Sequence, residues 1–276
     1  MTSARAVSRV KRLLPKKTRV GHTGTLDPLA SGLLVLLIGP STRLSRYVTG
    51  LDKAYTAKAR FGAVSDTLDA EGDITALGTP FPAQTTIEAA LPAFTGDLLQ
   101  TPPMASALKR DGMRLYELHR KGISVERKPR PITVHELRLT GLDPAEQTAT
   151  FELSCTSGTY VRTLIADLAT YLGSGAYLTT LRRTSVGHLD LENTNAPQDL
   201  DPDTLHNHII PTKELVAHLP GVAVAAGEER RLVCHGRPTE RRGFDCSYRV
   251  MCGDELLAVY RDRGDEGRAE VVLCAG

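Results

Sequence analysis

The chain reads as α+β, with a smaller all-β region towards its C-terminus. Three observations predict this. Tyr55, Ala57, Ala59 and Phe61 alternate with Thr56, Lys58 and Arg60, the period of a half-buried strand with a basic outer face. Helical segments with their own start and stop residues interleave with such strands up to about residue 215. Beyond about residue 216 only short candidate strands and turns follow, at 222–225, 248–251, 256–260 and 271–273, a pattern that suggests a small β-barrel.

In chain order, residues 3–14 form the first helix. Ser3 can cap it, Val7, Val10 and Leu14 recur at helical spacing, and Arg5, Arg9 and Arg12 face away. That basic face has no balancing acid, which favours a contact with a polyanionic backbone over a merely solvated surface. Residues 21–32 follow, Gly21-His22-Thr23-Gly24-Thr25-Leu26-Asp27-Pro28-Leu29-Ala30-Ser31-Gly32. Three glycines and a proline mark a shaped loop. The apolar run 33–38 behind it reads as a buried strand that anchors the loop. Ser41 or Thr42 starts a short helix ending near Gly50, and the strand opened by Tyr55 comes next.

Residues 66–72 are an acidic loop whose spacing does not fit a calcium-binding EF-hand. Thr85 and Glu88 form a capping box for a helix running to about Phe94, with Gly96 as its stop. A helix at 113–121 ends at Gly122, and strands follow at 132–139 and 149–155. Another helix runs to Leu172 and stops at Gly173. Arg162 lies in its first turn, where the helix dipole disfavours a cation, so an acidic partner is expected. Residues 194–215 are polar, with a helix around 204–209.

Asp27 is the only carboxylate in the first 51 residues, a window that also holds nine lysines and arginines. An acid in such a basic field is expected to be ionised, and it would sit where a polyanion docks. That is the placement of a nucleophile or base acting on nucleic acid. The competing reading is local, since Asp before Pro commonly opens a turn.

The totals set bounds. A chain of 276 residues can bury a good core and form one large domain with a small one. With 41% hydrophobic and 24% charged residues it is ordinary for a globular protein. Net charge is only +2, so the basic character is local. No apolar run reaches the roughly 20 residues of a membrane helix, and the N-terminus lacks the apolar core of a secretory signal. The five cysteines, Cys155, Cys234, Cys246, Cys252 and Cys274, show no zinc spacing and fit reduced thiols in the cytoplasm. No metal site, Walker loop or zincin helix is expected.

The motif at 21–32 resembles the active-site motif of the TruB family of tRNA pseudouridine synthases, roughly Gly-His-x-Gly-x-Leu-Asp-Pro-x-Ala-x-Gly, with every fixed position present. Asp52-Lys53-Ala54-Tyr55, Asp66-Thr67-Leu68-Asp69-Ala70-Glu71-Gly72, Gly158-Thr159-Tyr160-Val161-Arg162, Gly175-Ala176 and Leu181-Arg182-Arg183 resemble further segments of the same family. So does Pro102-Pro103-Met104-Ala105-Ser106-Ala107-Leu108-Lys109, although Ala105 replaces an aromatic common in relatives. The strong resemblance covers 20–183 and is that of the bacterial type.

The resemblance implies a pseudouridine synthase fold, with a mixed, largely antiparallel central sheet flanked by helices. It also implies a small C-terminal PUA-like RNA-binding domain, with the division at 1–215 and 216–276. Arg230, Arg231, Arg237, Arg241 and Arg242 of that second part contact phosphate or merely solvate a surface. Asp27 is then the nucleophile, Tyr55 packs on the target base, and Arg162 pairs with Asp27. The acids of 66–72 read as structural. His22, Tyr55, Tyr160 and Leu181 form the substrate site, with His22 stacking in the disturbed loop. The substrate is the T-loop uridine at tRNA position 55, in the T arm, and the enzyme is a cytoplasmic monomer. The reaction needs no cofactor or metal. Attack at the sugar C1′, attack at uracil C6, and a route in which C2′ loses a proton all remain open.

Family members usually begin with a strand and a Lys-Pro-x-Gly-x-Thr-Ser motif, whereas this chain begins Met1-Thr2-Ser3. The expectation is either a start further upstream or a sheet lacking its first strand, with an exposed edge. Other classes fit less well. An aspartyl-phosphate enzyme places its aspartate before a Thr-Gly-Thr run, and here Asp27 follows it. A guide-RNA-dependent synthase and a non-catalytic RNA-binding relative are the alternatives, the second disfavoured because every matched site residue is intact.

Overall fold

The computed structural model describes residues 1–106, 108–110, 112–192 and 194–274. Its contacts divide the chain into two compact units. One comprises Leu26–Leu33 and Gly50–Leu191, the other Met1–Thr25, Leu34–Thr49 and Glu192–Gly276.

The unit holding residues 50–191 is built on a seven-stranded sheet. Its continuous path runs Leu189–Asp190, Ala176–Val186, Lys53–Phe61, Thr148–Cys155, Arg130–Asp143 and Gly96–Gln100, each neighbour antiparallel. The seventh strand, Ser31–Gly32, pairs parallel with Arg182 and Arg183. The α+β reading and the mixed, largely antiparallel sheet are thus borne out. The strands at 55–61, 132–139 and 149–155 are present and somewhat longer than expected.

One face of this sheet makes the core. Ala57, Ala59 and Phe61 pack with Phe151, Leu153, Val134, Leu178 and Leu181. The helix Val161–Tyr171 closes that face with Val161, Leu164, Ile165 and Leu168. It ends where Gly173 takes φ 72°. The helix expected from 85 begins at Gln84 without a side-chain cap, and passes into a 3₁₀ turn at Leu91. Thr85 therefore makes no capping box; Gln84 Nε2 instead donates to Glu88 Oε1 at 2.8 Å. The helix expected at 113–121 is confined to Leu115–His119.

In the other unit, the first helix spans Ser3–Arg12, and Thr2 rather than Ser3 caps it by accepting from the Arg5 N–H. Arg9 is not free on its outer face, because its guanidinium donates to the carbonyls of Pro197 and Gln198. The run 33–38 alternates buried and half-buried residues, yet only Leu36–Ile38 forms strand, paired antiparallel with Val20–His22. Residues 39–49 form a 3₁₀ turn and a short helix, and the helix expected at 204–209 is a 3₁₀ turn at Leu205–His208.

The small C-terminal sheet has five strands in the order Gly221–Ala223, Tyr248–Cys252, Glu255–Arg263, Glu266–Val272 and Thr239–Glu240. It curls as a half-barrel around Tyr248, Val250, Leu257 and Tyr260. A helix at Glu228–Cys234 plugs this core with Val233 and Cys234. Cys234 is joined by a disulfide to Cys274, which corrects the expectation that all five cysteines are free thiols. The pairing was invisible because the two lie 40 residues apart and meet only through the fold.

Candidate active site

Asp27 opens a turn and also meets a buried arginine. The Ala30 N–H donates to the Asp27 carbonyl at 2.9 Å, with Pro28 in the position that its fixed φ favours. The loop is then pinned to the sheet by Arg183, which is 2% exposed. Arg183 Nε donates to the Leu33 carbonyl at 2.8 Å, and the Leu33 N–H donates back to the Arg183 carbonyl at 2.9 Å. Gly32 has φ 96°, and a Cβ there would lie 2.2 Å from the Arg183 carbonyl oxygen, so only glycine lets the loop come this close.

The turn leaves the Asp27 side chain 36% exposed, with Oδ2 at 2.9 Å from Arg162 Nε. Arg162 itself is 3% exposed. Its Nη1 donates to the Thr67 carbonyl at 2.6 Å and stands 3.2 Å from Asp69 Oδ2, while Nη2 donates to the Ala105 carbonyl at 2.8 Å. The guanidinium therefore does not fork onto Asp27. It bridges two carboxylates and two carbonyls, and only its Nε edge is left for Asp27. Such a group is fixed in position as well as charge.

Asp69 is missed by a reading of the acidic loop as structural alone. It is 3% exposed and accepts from Thr67 Oγ1 at 2.7 Å and from the Glu71 N–H at 3.1 Å. The loop is stitched to the central sheet, since the Leu178 N–H donates to Leu68 and the Ala70 N–H donates to Leu178. Gly72 closes the loop where a Cβ would lie 2.1 Å from Asp66 Oδ1.

Burial is the largest influence on Asp27 and pushes its carboxyl above the ordinary carboxylate range. Arg162 opposes this, and the Asp69 charge adds to it. The direction is opposite to that expected from the basic field around Asp27 in the sequence. Burial is therefore why the acid resists ionisation, with the Asp69 charge adding to it and Arg162 only partly offsetting it.

The other expected residues fall as follows. Tyr55 is half-buried on the core face, with cross-strand neighbours Leu153 and Arg183. Its phenol is pushed up to about 12, chiefly by burial, and it feels both Arg183 and the Asp27 charge. Leu181 is 6% exposed, opposite Ala57 and on the same face as Tyr55. Tyr160 is half-buried and immediately precedes the helix that carries Arg162; burial raises its phenol, which also feels Asp27. Asp27, Tyr55, Tyr160, Arg162 and Leu181 all belong to one unit. His22 belongs to the other, on the strand Val20–His22 opposite Leu36. Of the Pro102–Lys109 segment, Ala105 supplies a carbonyl to Arg162, and residue 107 lies outside the described residues. No group of metal-ligating side chains is found among the described residues. None of their helices is long and apolar enough to cross a membrane.

Residues 11–161 match the model of the TruB family pseudouridylate synthase N-terminal domain. The chain belongs to the TruB family. It is 38% identical over 278 residues to tRNA pseudouridine synthase B of Chromohalobacter salexigens, covering 99% of this chain and 88% of that relative. It is 40% identical over 271 residues to the protein of the same name from Cupriavidus metallidurans, covering 97% and 85%. Among solved structures, a chain of a Cbf5–Nop10–Gar1 complex superposes with a TM-score of 0.72 at 22% identity, over 100% of this chain and 82% of that one. That likeness supports the pseudouridine synthase fold and the PUA-like form of the C-terminal sheet.

Proposed function

We propose that this TruB-family tRNA pseudouridine synthase isomerises the T-loop uridine at tRNA position 55, with Asp27 as its nucleophile. The observation that carries the reading is a partly exposed carboxylate held by a buried arginine in contact with it. In the net reaction the C1′–N1 bond breaks, the uracil turns, and a C1′–C5 bond forms. The C5 proton leaves, and N1 ends protonated, so atoms and electrons balance without a redox partner. A covalent bond to Asp27 divides this into two easier steps. The uridine must first leave its stacked loop, at a cost of about a few kcal/mol, and Tyr55, Tyr160 and Leu181 supply apolar surface for it. Curated relatives of about 40% identity over most of their length bear the name tRNA pseudouridine synthase B, which favours a stand-alone enzyme over a guide-RNA-dependent one. Residues 1–215 then serve catalysis and 216–276 serve as an RNA-binding domain, in a cytoplasmic monomer.

The test is release of tritium from tRNA transcripts carrying [5-³H]uridine. Release from an unmodified transcript, and none from one with uridine 55 replaced by cytidine, supports the reading. Equal release from both would reject the site.

Tyr55→Leu removes the aromatic platform beside Asp27 and should lower single-turnover rate by about 10²-fold or more, since poor placement of reacting groups costs that much. Tyr55→Phe measures what the hydroxyl adds. A fully active leucine variant would return Tyr55 to the core.

The basic face of the first helix should bind phosphate through Arg5, Lys11 and Arg12, which are exposed, rather than through Arg9. Replacing those three by glutamine should flatten the slope of log affinity for tRNA against log salt by about two to three units, by counterion release. An unchanged slope would mean that this face is only solvated. In the C-terminal domain, Arg230, Arg231 and Arg241 are paired with Glu255, Glu228 and Asp262, so Arg237 and Arg242 are the better candidates there.

A further inference from the structure

Gln100 ends the edge strand Gly96–Gln100, and its side chain is 4% exposed. Its amide does not serve the sheet. Oε1 accepts from the Tyr160 N–H at 2.8 Å, and Nε2 donates to the Tyr160 carbonyl at 3.0 Å. One planar group thus holds both polar atoms of one residue, as a neighbouring strand would. Tyr160 is the cap residue of the helix Val161–Tyr171, and it offers no side-chain cap. What orients the start of that helix is therefore Gln100, from 60 residues away.

Arg162 is the second residue of the same helix, and its guanidinium donates to the carbonyl of Ala105, five residues after Gln100. The segment 100–105 therefore grips the helix start at two points, the Tyr160 backbone and the Arg162 side chain. The strand carrying Gln100 is itself tied into the sheet from Gly96 to Gln100 by Arg130–Val134. The edge strand is thus anchored in the sheet, and the amide links it to the start of the helix that carries Arg162.

We propose that Gln100 is a positioning residue for the isomerisation, holding Tyr160 so that Arg162 presents its Nε edge to Asp27. This rests on the reading of Asp27 and Arg162 given above. The requirement is for a donor and an acceptor on one planar group of this length, which the glutamine amide provides. Alanine would leave the Tyr160 N–H and carbonyl without these partners. Glutamate is nearly isosteric but, when ionised, has no donor and sets a carboxylate against the Tyr160 carbonyl. Protonated glutamic acid restores one donor and one acceptor in the same places. Its burial, with a hydrogen bond that favours the neutral form, brings that protonation within reach of mildly acid solution.

The experiment compares parent, Gln100→Ala and Gln100→Glu in single-turnover assays on tRNA across pH, with tRNA affinity and melting temperature measured alongside. Each variant is read as its ratio to the parent at the same pH, which cancels the titration of Asp27. Gln100→Ala should lose about 10²-fold in turnover, the scale of a misplacement of about 1 Å, with tRNA affinity within about threefold. Gln100→Glu should be as poor near pH 8 and recover at least about tenfold relative to the parent near pH 5.5, as its carboxyl protonates. A purely structural tether would lower the melting temperature while leaving turnover of the folded variants near the parent's. Turnover of Gln100→Ala within about threefold of the parent overturns the proposal. So does a loss in Gln100→Glu that is the same at every pH at which the variant is folded. If Gln100→Ala does not fold, the pH-dependent recovery of Gln100→Glu decides alone. An inactive parent would fault the functional reading instead, and leaves these ratios undefined only in that case.

Discussion

Asp27→Asn is expected to abolish turnover, by at least about 10⁴-fold, while tRNA binding stays close to the parent's. The amide keeps the size of the side chain and an acceptor for Arg162 Nε, but it lacks the anionic oxygen that would attack. The same substitution should raise the melting temperature at neutral pH. Burial lifts the Asp27 carboxyl above its ordinary value, so the folded protein pays to ionise it. A group whose folded pKa is raised binds its proton more tightly in the folded state. The folded state is therefore penalised above that pKa, and the penalty is relieved as pH falls through it. The asparagine variant removes the penalty, and it leaves Arg162 balanced by Asp69 alone. Thermal melts near pH 7.5 provide the check. A melting temperature below the parent's would mean that Asp27 helps to hold Arg162 more than its burial costs.

Arg162→Lys is expected to lower turnover by about 10²-fold or more although charge is kept. The guanidinium serves Asp27, Asp69, Thr67 and Ala105 at once, and an ammonium on a flexible stem cannot reproduce that planar set. Arg162→Met should go further. Asp69 would be left buried without its cation, at a cost of about 3–5 kcal/mol in stability by urea unfolding. Arg162 also lowers the pKa of Asp27, so its loss should move the acidic limb of the residual activity to higher pH. A lysine variant as active as the parent would remove Arg162 from the reaction, as would a methionine variant with an unmoved acidic limb.

Much of the frame could be read from the chain because the signals were local. The strand Lys53–Phe61 has strict alternation, and the helix Val161–Tyr171 is bounded by Gly158 and Gly173. The strand Ala176–Val186 carries no such signal. Register shifts at Leu178/Thr180 and Arg183/Ser185 break its alternation, and it buries an arginine. The motif around Asp27 was legible as a motif, but its electrostatics were not. The charges that act on Asp27 come from Arg162 and Asp69, both distant in the chain. Gln100 was silent for a similar reason. A glutamine at a strand end looks like surface until its partner, 60 residues on, is known.

The central claim is that this site makes pseudouridine from the T-loop uridine through Asp27. Its most direct test is chemical mapping of pseudouridine at single-nucleotide resolution in an unmodified tRNA transcript after incubation with the protein. The account predicts one stop, at position 55, that is absent with Asp27→Asn. Stops elsewhere in the tRNA, no stop at all, or a stop at 55 that persists with Asp27→Asn would contradict it.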